Sequence, residues 1–148
     1  MAKKTHYKIE KDINRILFNL TSIVTVIAIG MTLIEFFTRG AFPPTRISIF
    51  YMGVLLIYSL HKEALRWLEK KGTKKKQKKG EYFVYTWVIM TTILYLINFL
   101  SKDYFSYYSS GQPVSVLMET TYTALEVCGV FIFTRLLKIG VVHFFRRK

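Results

Sequence analysis

The sequence predicts an all-α membrane protein: four antiparallel transmembrane helices in two helical hairpins, with both termini cytoplasmic. Three observations predict it. Of 148 residues, 51% are hydrophobic and 16% aromatic, and the mean hydropathy is +0.25. The chain is nonetheless 21% charged with a formal net charge of +13, and its charges gather in blocks between long stretches nearly free of charge, the pattern of a small polytopic membrane protein. Finally, Glu69-Lys70-Lys71-Gly72-Thr73-Lys74-Lys75-Lys76-Gln77-Lys78-Lys79-Gly80 lies near the middle of the chain with apolar segments on both sides. Short loops rich in Lys and Arg stay on the cytoplasmic face of a membrane, so this loop sets the direction of every segment around it.

In order along the chain, residues 1–15 form a basic, polar lead-in carrying Lys3, Lys4, Lys8, Lys11 and Arg15. Residues 16–37 then run apolar for the roughly 20 residues that a spanning helix needs. This run is too long for a signal-peptide core and no small-residue cleavage site follows, so it reads as a signal anchor that stays as the first span. Arg39-Gly40-Ala41-Phe42-Pro43-Pro44 makes a tight outer turn, because proline cannot continue a helix.

The second apolar run, 45–60, is short for a full span. No Gly or Pro interrupts 61–68, so its helix is expected to continue as a juxtamembrane helix to 68. Trp67 is suited there to the headgroup level, and Lys62 and Arg66 can reach water along their stems. After the basic loop 69–81 comes a third span, 82–100. Residues 101–113 form an outer loop whose Tyr104, Phe105, Tyr107 and Tyr108 suit a membrane interface. The fourth span, 114–138, runs into the basic end Arg146-Arg147-Lys148. The whole of 1–148 reads as a single membrane domain.

Charge distribution supports this threading. Of the 22 Lys and Arg, all but Arg39, Arg46 and Lys102 fall in segments assigned to the cytoplasm, as the positive-inside rule requires. The two hairpins also resemble one another. Ile34-Glu35-Phe36-Phe37-Thr38-Arg39 matches Ile97-Asn98-Phe99-Leu100-Ser101-Lys102 position for position, Pro44 and Pro113 precede the second helix of each pair, and Arg66 falls level with Arg135. An even number of spans per unit would make a duplication here a parallel repeat about an axis along the membrane normal, the alternative being a chance likeness between apolar helices.

The candidate site residues are Glu126, Glu119, Glu35, Tyr122 and Asn98. On the fourth helix Ser115, Glu119, Tyr122, Glu126 and Gly129 recur at helical spacing and share one face. Thr21, Thr25, Ala28, Thr32 and Glu35 do so on the first helix, and Thr91, Tyr95 and Asn98 on the third. Such small or polar stripes let membrane helices approach closely and hydrogen-bond. Glu35 and Glu119 lie near the outer ends of their helices. Glu126 lies about 18 Å along the fourth from Val114, near mid-bilayer, where an unpaired carboxylate costs at least ~2.5–3.5 kcal/mol. It is expected to face inward, neutral and hydrogen-bonded to Thr or Tyr. Two readings of it stand: a proton- or cation-binding station with Glu119 and Glu35 as outer stations, or a hydrogen-bonding link between helices.

Lys70, Lys71, Lys74, Lys75, Lys76, Lys78 and Lys79 are candidates for binding anionic headgroups or an acidic partner. With no aromatic residue in 70–79 for base stacking, nucleic acid is disfavoured as a partner. Catalytic motifs are missing: there is no Gly-rich phosphate loop, no HExxH and no nucleophile elbow. His6, His61 and His143 lie at or beyond the cytoplasmic face without ligand spacing, with His61 and Glu63 only a loose surface pair. The lone Cys128 excludes a disulfide framework or a cysteine metal site within one chain. The reading is therefore not an enzyme, with no metal and no cofactor. It is a small multi-pass integral membrane protein, a non-catalytic component of a homo-oligomer or larger complex, in the plasma or inner membrane if the cell is prokaryotic. The alternative is a proton or cation channel or transporter subunit using Glu126, followed by a lipid-acting membrane enzyme.

Overall fold

The computed structural model describes residues 2–42, 47–68, 80–108 and 111–146, and among these it is all-helical. Four α-helices follow in order: α1 (Ala2–Phe37), α2 (Ile47–Leu68), α3 (Glu81–Leu100) and α4 (Val116–Arg146). A short 3-10 turn, Tyr104–Ser106, sits in the α3–α4 connection, and the described residues form no strand beyond one isolated bridge between Tyr107 and Pro113. Three helical segments are long and apolar enough to cross a bilayer: Asp12–Phe37, Glu81–Leu100 and Val116–Leu137. α2 falls outside that set, because its apolar stretch gives way to His61, Lys62 and Glu63 within the helix.

The basic lead-in of the sequence is helical and continuous with the first span. α1 is 36 residues long, about 54 Å at 1.5 Å per residue, well beyond the roughly 30 Å of a hydrocarbon core. Trp67, Arg66 and the loop lysines fall where side chains lie outside the described residues.

Contacts at the two ends define an antiparallel bundle. At one end Phe18 of α1, Tyr58 of α2 and Phe83 of α3 form an aromatic cluster with centroids 5.8–5.9 Å apart. On the same side His61 approaches the Glu10 carboxylate at 3.6 Å, and Arg135 donates to Glu81 Oε1 at 2.6 Å. His61 thus reaches across helices to Glu10. At the other end Phe36 stacks on Phe105 at 4.7 Å, while Arg39 donates to the carbonyls of Tyr107 (2.7 Å) and Tyr108 (2.9 Å) and lies over the Tyr104 ring. The start of α1 and the second half of α4 consequently share one end of the bundle. Between the ends, Val24, Ala28, Tyr51, Leu55, Trp87, Met90, Leu94, Ala124 and Val127 make the core.

The two hairpins turn in the same way. α1 ends with Gly40 N–H donating to Glu35 O (2.8 Å) and Arg39 N–H to Phe36 O (3.1 Å). α3 ends with Asp103 N–H donating to Asn98 O (2.9 Å) and Lys102 N–H to Phe99 O (3.1 Å). Both are Schellman caps, in which a left-handed residue lets the chain satisfy the last carbonyls. The left-handed residues are Arg39 and Gly40 in one turn, and Lys102 and Asp103 in the other. Gly40 is required at its place: a Cβ there would run into the Tyr108 ring, and its φ of 75° suits glycine. α2 and α4 begin at the same step past Pro44 and Pro113. Tyr51, Leu55 and Tyr58 on α2 are buried at the same steps as Thr120, Ala124 and Val127 on α4. The sequence match between the hairpins extends to backbone geometry and register.

Candidate functional site

The stripe predicted on α1 is the buried face of that helix. Thr21, Thr25, Ala28, Thr32 and Glu35 are all buried. Their hydroxyls do not bridge helices, however: Thr21 donates to Leu17 O, Thr25 to Thr21 O and Thr32 to Ala28 O. A threonine hydroxyl in a helix reaches the carbonyl four residues back more easily than a neighbouring helix, so the stripe works by being small. On α3, Thr91 likewise bonds its own helix, and Tyr95 alone of that stripe meets another helix, its hydroxyl 2.9 Å from Thr121 Oγ1.

The α4 stripe has the opposite fate. Glu119, Tyr122, Glu126 and Gly129 are exposed, and α4 packs instead through Val116, Leu117, Thr120, Thr123, Ala124 and Val127. Glu126 is therefore at the protein surface, not turned inward, and no hydrogen bond from a described Thr or Tyr reaches it. The packing face is offset from the polar face because the aliphatic and small residues, not the carboxylates, meet the core.

Glu35, Glu119, Tyr122 and Glu126 nevertheless come together around one cavity of about 360 Å³. Ala28, Thr32 and Glu35 contribute from α1, Ile47 and Ser48 from α2, Trp87 from α3, and Glu119, Thr120, Tyr122, Thr123 and Glu126 from α4. Two helical turns, about 10 Å, separate Glu119 from Glu126 and likewise Glu35 from Ala28, so the cavity runs from the end where α1 stops and α4 starts toward the middle of the bundle. Ser115 donates to Glu119 Oε1 at 2.7 Å. Glu35 is only 3% exposed, and no hydrogen bond from the described residues reaches its carboxyl group. Among the described residues, no three His, Cys, Asp or Glu side chains converge closely enough to hold one metal ion.

Asn98 stands apart from the cavity. It occupies the position in α3 that Glu35 occupies in α1, but donates to Asp103 Oδ1 (2.8 Å) and Ser106 Oγ (2.9 Å), fastening the end of α3 to the α3–α4 connection. The seven candidate lysines of the basic loop lie outside the described residues. Reasoning from sequence did not single out Trp87, Ser48, Thr120 or Thr123. Trp87 carried a signal, since tryptophan favours the interface and this one lies inside a span. Its indole N–H and the Tyr51 hydroxyl beside it are buried without a partner in hydrogen-bonding geometry.

No family model, no curated protein and no solved structure matches the chain. The functional reading rests on the helices, three of which are long and apolar enough to cross a membrane, and on this cavity.

Proposed function

We propose that this chain is a four-span membrane protein, with both termini and the basic loop in the cytoplasm, that serves as a non-catalytic component of an oligomer or larger membrane complex. One observation carries the second half of this reading. Glu119 and Glu126 are exposed on a helix whose neighbouring exposed residues are Met118, Leu125, Ile132 and Phe133. A carboxylate facing lipid costs at least ~2.5–3.5 kcal/mol near the bilayer centre, so a second copy or another membrane subunit covers this face of α4. For the topology, α2 spans about 33 Å if fully helical through its 22 residues, its charges cluster toward the end shared with Glu10, Glu81 and Arg135, and almost all Lys and Arg fall on that side. The lysines of 70–79 then rest on anionic headgroups, each contributing about 1 kcal/mol near the surface.

Two measurements test this. In a Cys128→Ser background, Lys75→Cys should resist an impermeant thiol reagent added outside, and Tyr108→Cys should react; the reverse pattern overturns the topology. The mass of the protein purified in mild detergent, with its co-purifying chains identified, should exceed one copy. A solitary monomer in both detergent and lipid nanodiscs overturns the component role.

The second reading, a proton or cation pathway through Glu126, is favoured by the cavity that joins Glu126 to Glu119 and Glu35. Liposome flux that falls on Glu126→Gln supports it, and unchanged flux removes it.

A further inference from the structure

We propose that the cavity between α1, α2 and α4 binds a small hydrophobic organic cation, an ammonium group carried on an apolar or aromatic body. This rests on the membrane placement proposed above and needs no partner chain.

Charge is the first argument. The chain has only 9 acidic residues against a net charge of +13. Three of the nine line this one cavity, and no Lys, Arg or His is among its described lining residues. Glu35 is nearly fully buried there, without a donor from any described residue. A buried carboxylate with no partner is costly enough that such groups are paired, hydrogen-bonded or neutral. A positive ligand supplies the missing pair.

The rest of the lining is rich in acceptors. Thr32, Thr120 and Thr123 donate their hydroxyl protons to the backbone carbonyls of Ala28 (3.0 Å), Val116 (2.6 Å) and Glu119 (3.0 Å). What those hydroxyls retain are lone pairs, which attract a cation and repel an anion.

Size and wall chemistry exclude a lone inorganic ion as the natural occupant. About 360 Å³ falls at the small end of pockets for organic ligands and is roughly tenfold the ~30 Å³ of one water. The carboxylates surround this volume without converging on a point. Trp87 and Tyr122 stand in the wall with Ala28 and Ile47. Indole and phenol rings attract ammonium groups through their π faces, and most strongly where water is excluded.

The test uses the full chain in lipid nanodiscs, with radiolabelled benzyltrimethylammonium as probe and neopentylbenzene as its neutral isostere. Saturable binding of the cation is expected, with the neutral isostere competing at least tenfold more weakly. Glu35→Gln and Glu126→Gln should each weaken binding tenfold or more, and Glu10→Gln at the opposite end should leave it unchanged. Helicity by circular dichroism checks folding. If Glu35→Gln fails to fold, Glu126→Gln on the exposed rim still decides the matter. Unsaturable uptake, equal competition by the isostere, or wild-type affinity in a folded glutamate variant would each overturn the proposal. Mass and topology on the same preparations separate this outcome from the previous one: a monomer with Glu35-dependent binding removes the component role and keeps the site, and an oligomer without such binding does the reverse.

Discussion

The polar stripes of α1 and α4 follow the same helical rhythm and end in opposite environments. Thr21, Thr25, Ala28, Thr32 and Glu35 are buried, whereas Glu119, Tyr122, Glu126 and Gly129 are exposed. The difference lies in side-chain size and in what each hydroxyl can do alone. Threonines that bond their own helix lose most of their polarity and remain small enough for close packing. The larger glutamates and tyrosine of α4 do not fit such close packing, and α4 leaves them exposed along the rim of the cavity. Helical periodicity therefore identifies a face without saying whether the protein buries it.

The comparison can be broken most forcefully at the outer end of α1. Phe36 is fully buried and stacked on Phe105, so Phe36→Ala should lower unfolding stability in detergent by about 3–5 kcal/mol. Phe133→Ala, on the exposed side of α4, should stay within about 0.5 kcal/mol. Equal losses would mean that α4 is as enclosed as α1.

A smaller effect separates the stripes themselves. Thr21 is fully buried, and Thr21→Phe should cost about 1–3 kcal/mol by overpacking. At Gly129 an added Cβ meets nothing within 4 Å, so Gly129→Phe should leave the stability of the single chain within about 0.5 kcal/mol while reducing its mass to that of one copy. An assembly that survives Gly129→Phe places the covering subunit elsewhere.

The smallest test contrasts the paired turns. Arg39 bonds two carbonyls of the α3–α4 connection, and its counterpart Lys102 is exposed. Thermal unfolding should show a loss of about 1–3 kcal/mol for Arg39→Ala, at 0.5–1.5 kcal/mol per hydrogen bond, and little change for Lys102→Ala. A comparable loss at both would show that the left-handed backbone they share, rather than the cross-hairpin bonds of Arg39, dominates these turns.

Much of the fold was legible. Apolar length marked α1, α3 and α4, and Pro44 and Pro113 marked the starts of α2 and α4 because a proline sets a helix start from local sterics alone. The kinship of residues 34–39 with 97–102 was legible for the same reason: a Schellman cap is written in consecutive residues. The site was only half legible. Glu35, Glu119 and Glu126 attracted notice because carboxylates are rare in apolar runs, yet Asn98, chosen by the same logic, stands away from the cavity and donates its amide protons to Asp103 and Ser106. No local signal distinguishes a polar residue with partners from one without them.

By itself the sequence determined which segments are apolar, the positions of the turns and the likeness of the two hairpins, since hydropathy, proline and cap chemistry act within a few residues of where they are written. Only the tertiary structure decided which polar face is buried and that Glu35 shares a cavity with Glu119, Glu126 and Trp87. Those outcomes depend on how α1, α2, α3 and α4 rotate about their axes to fit one another, and that rotation is set by packing between residues far apart in the chain.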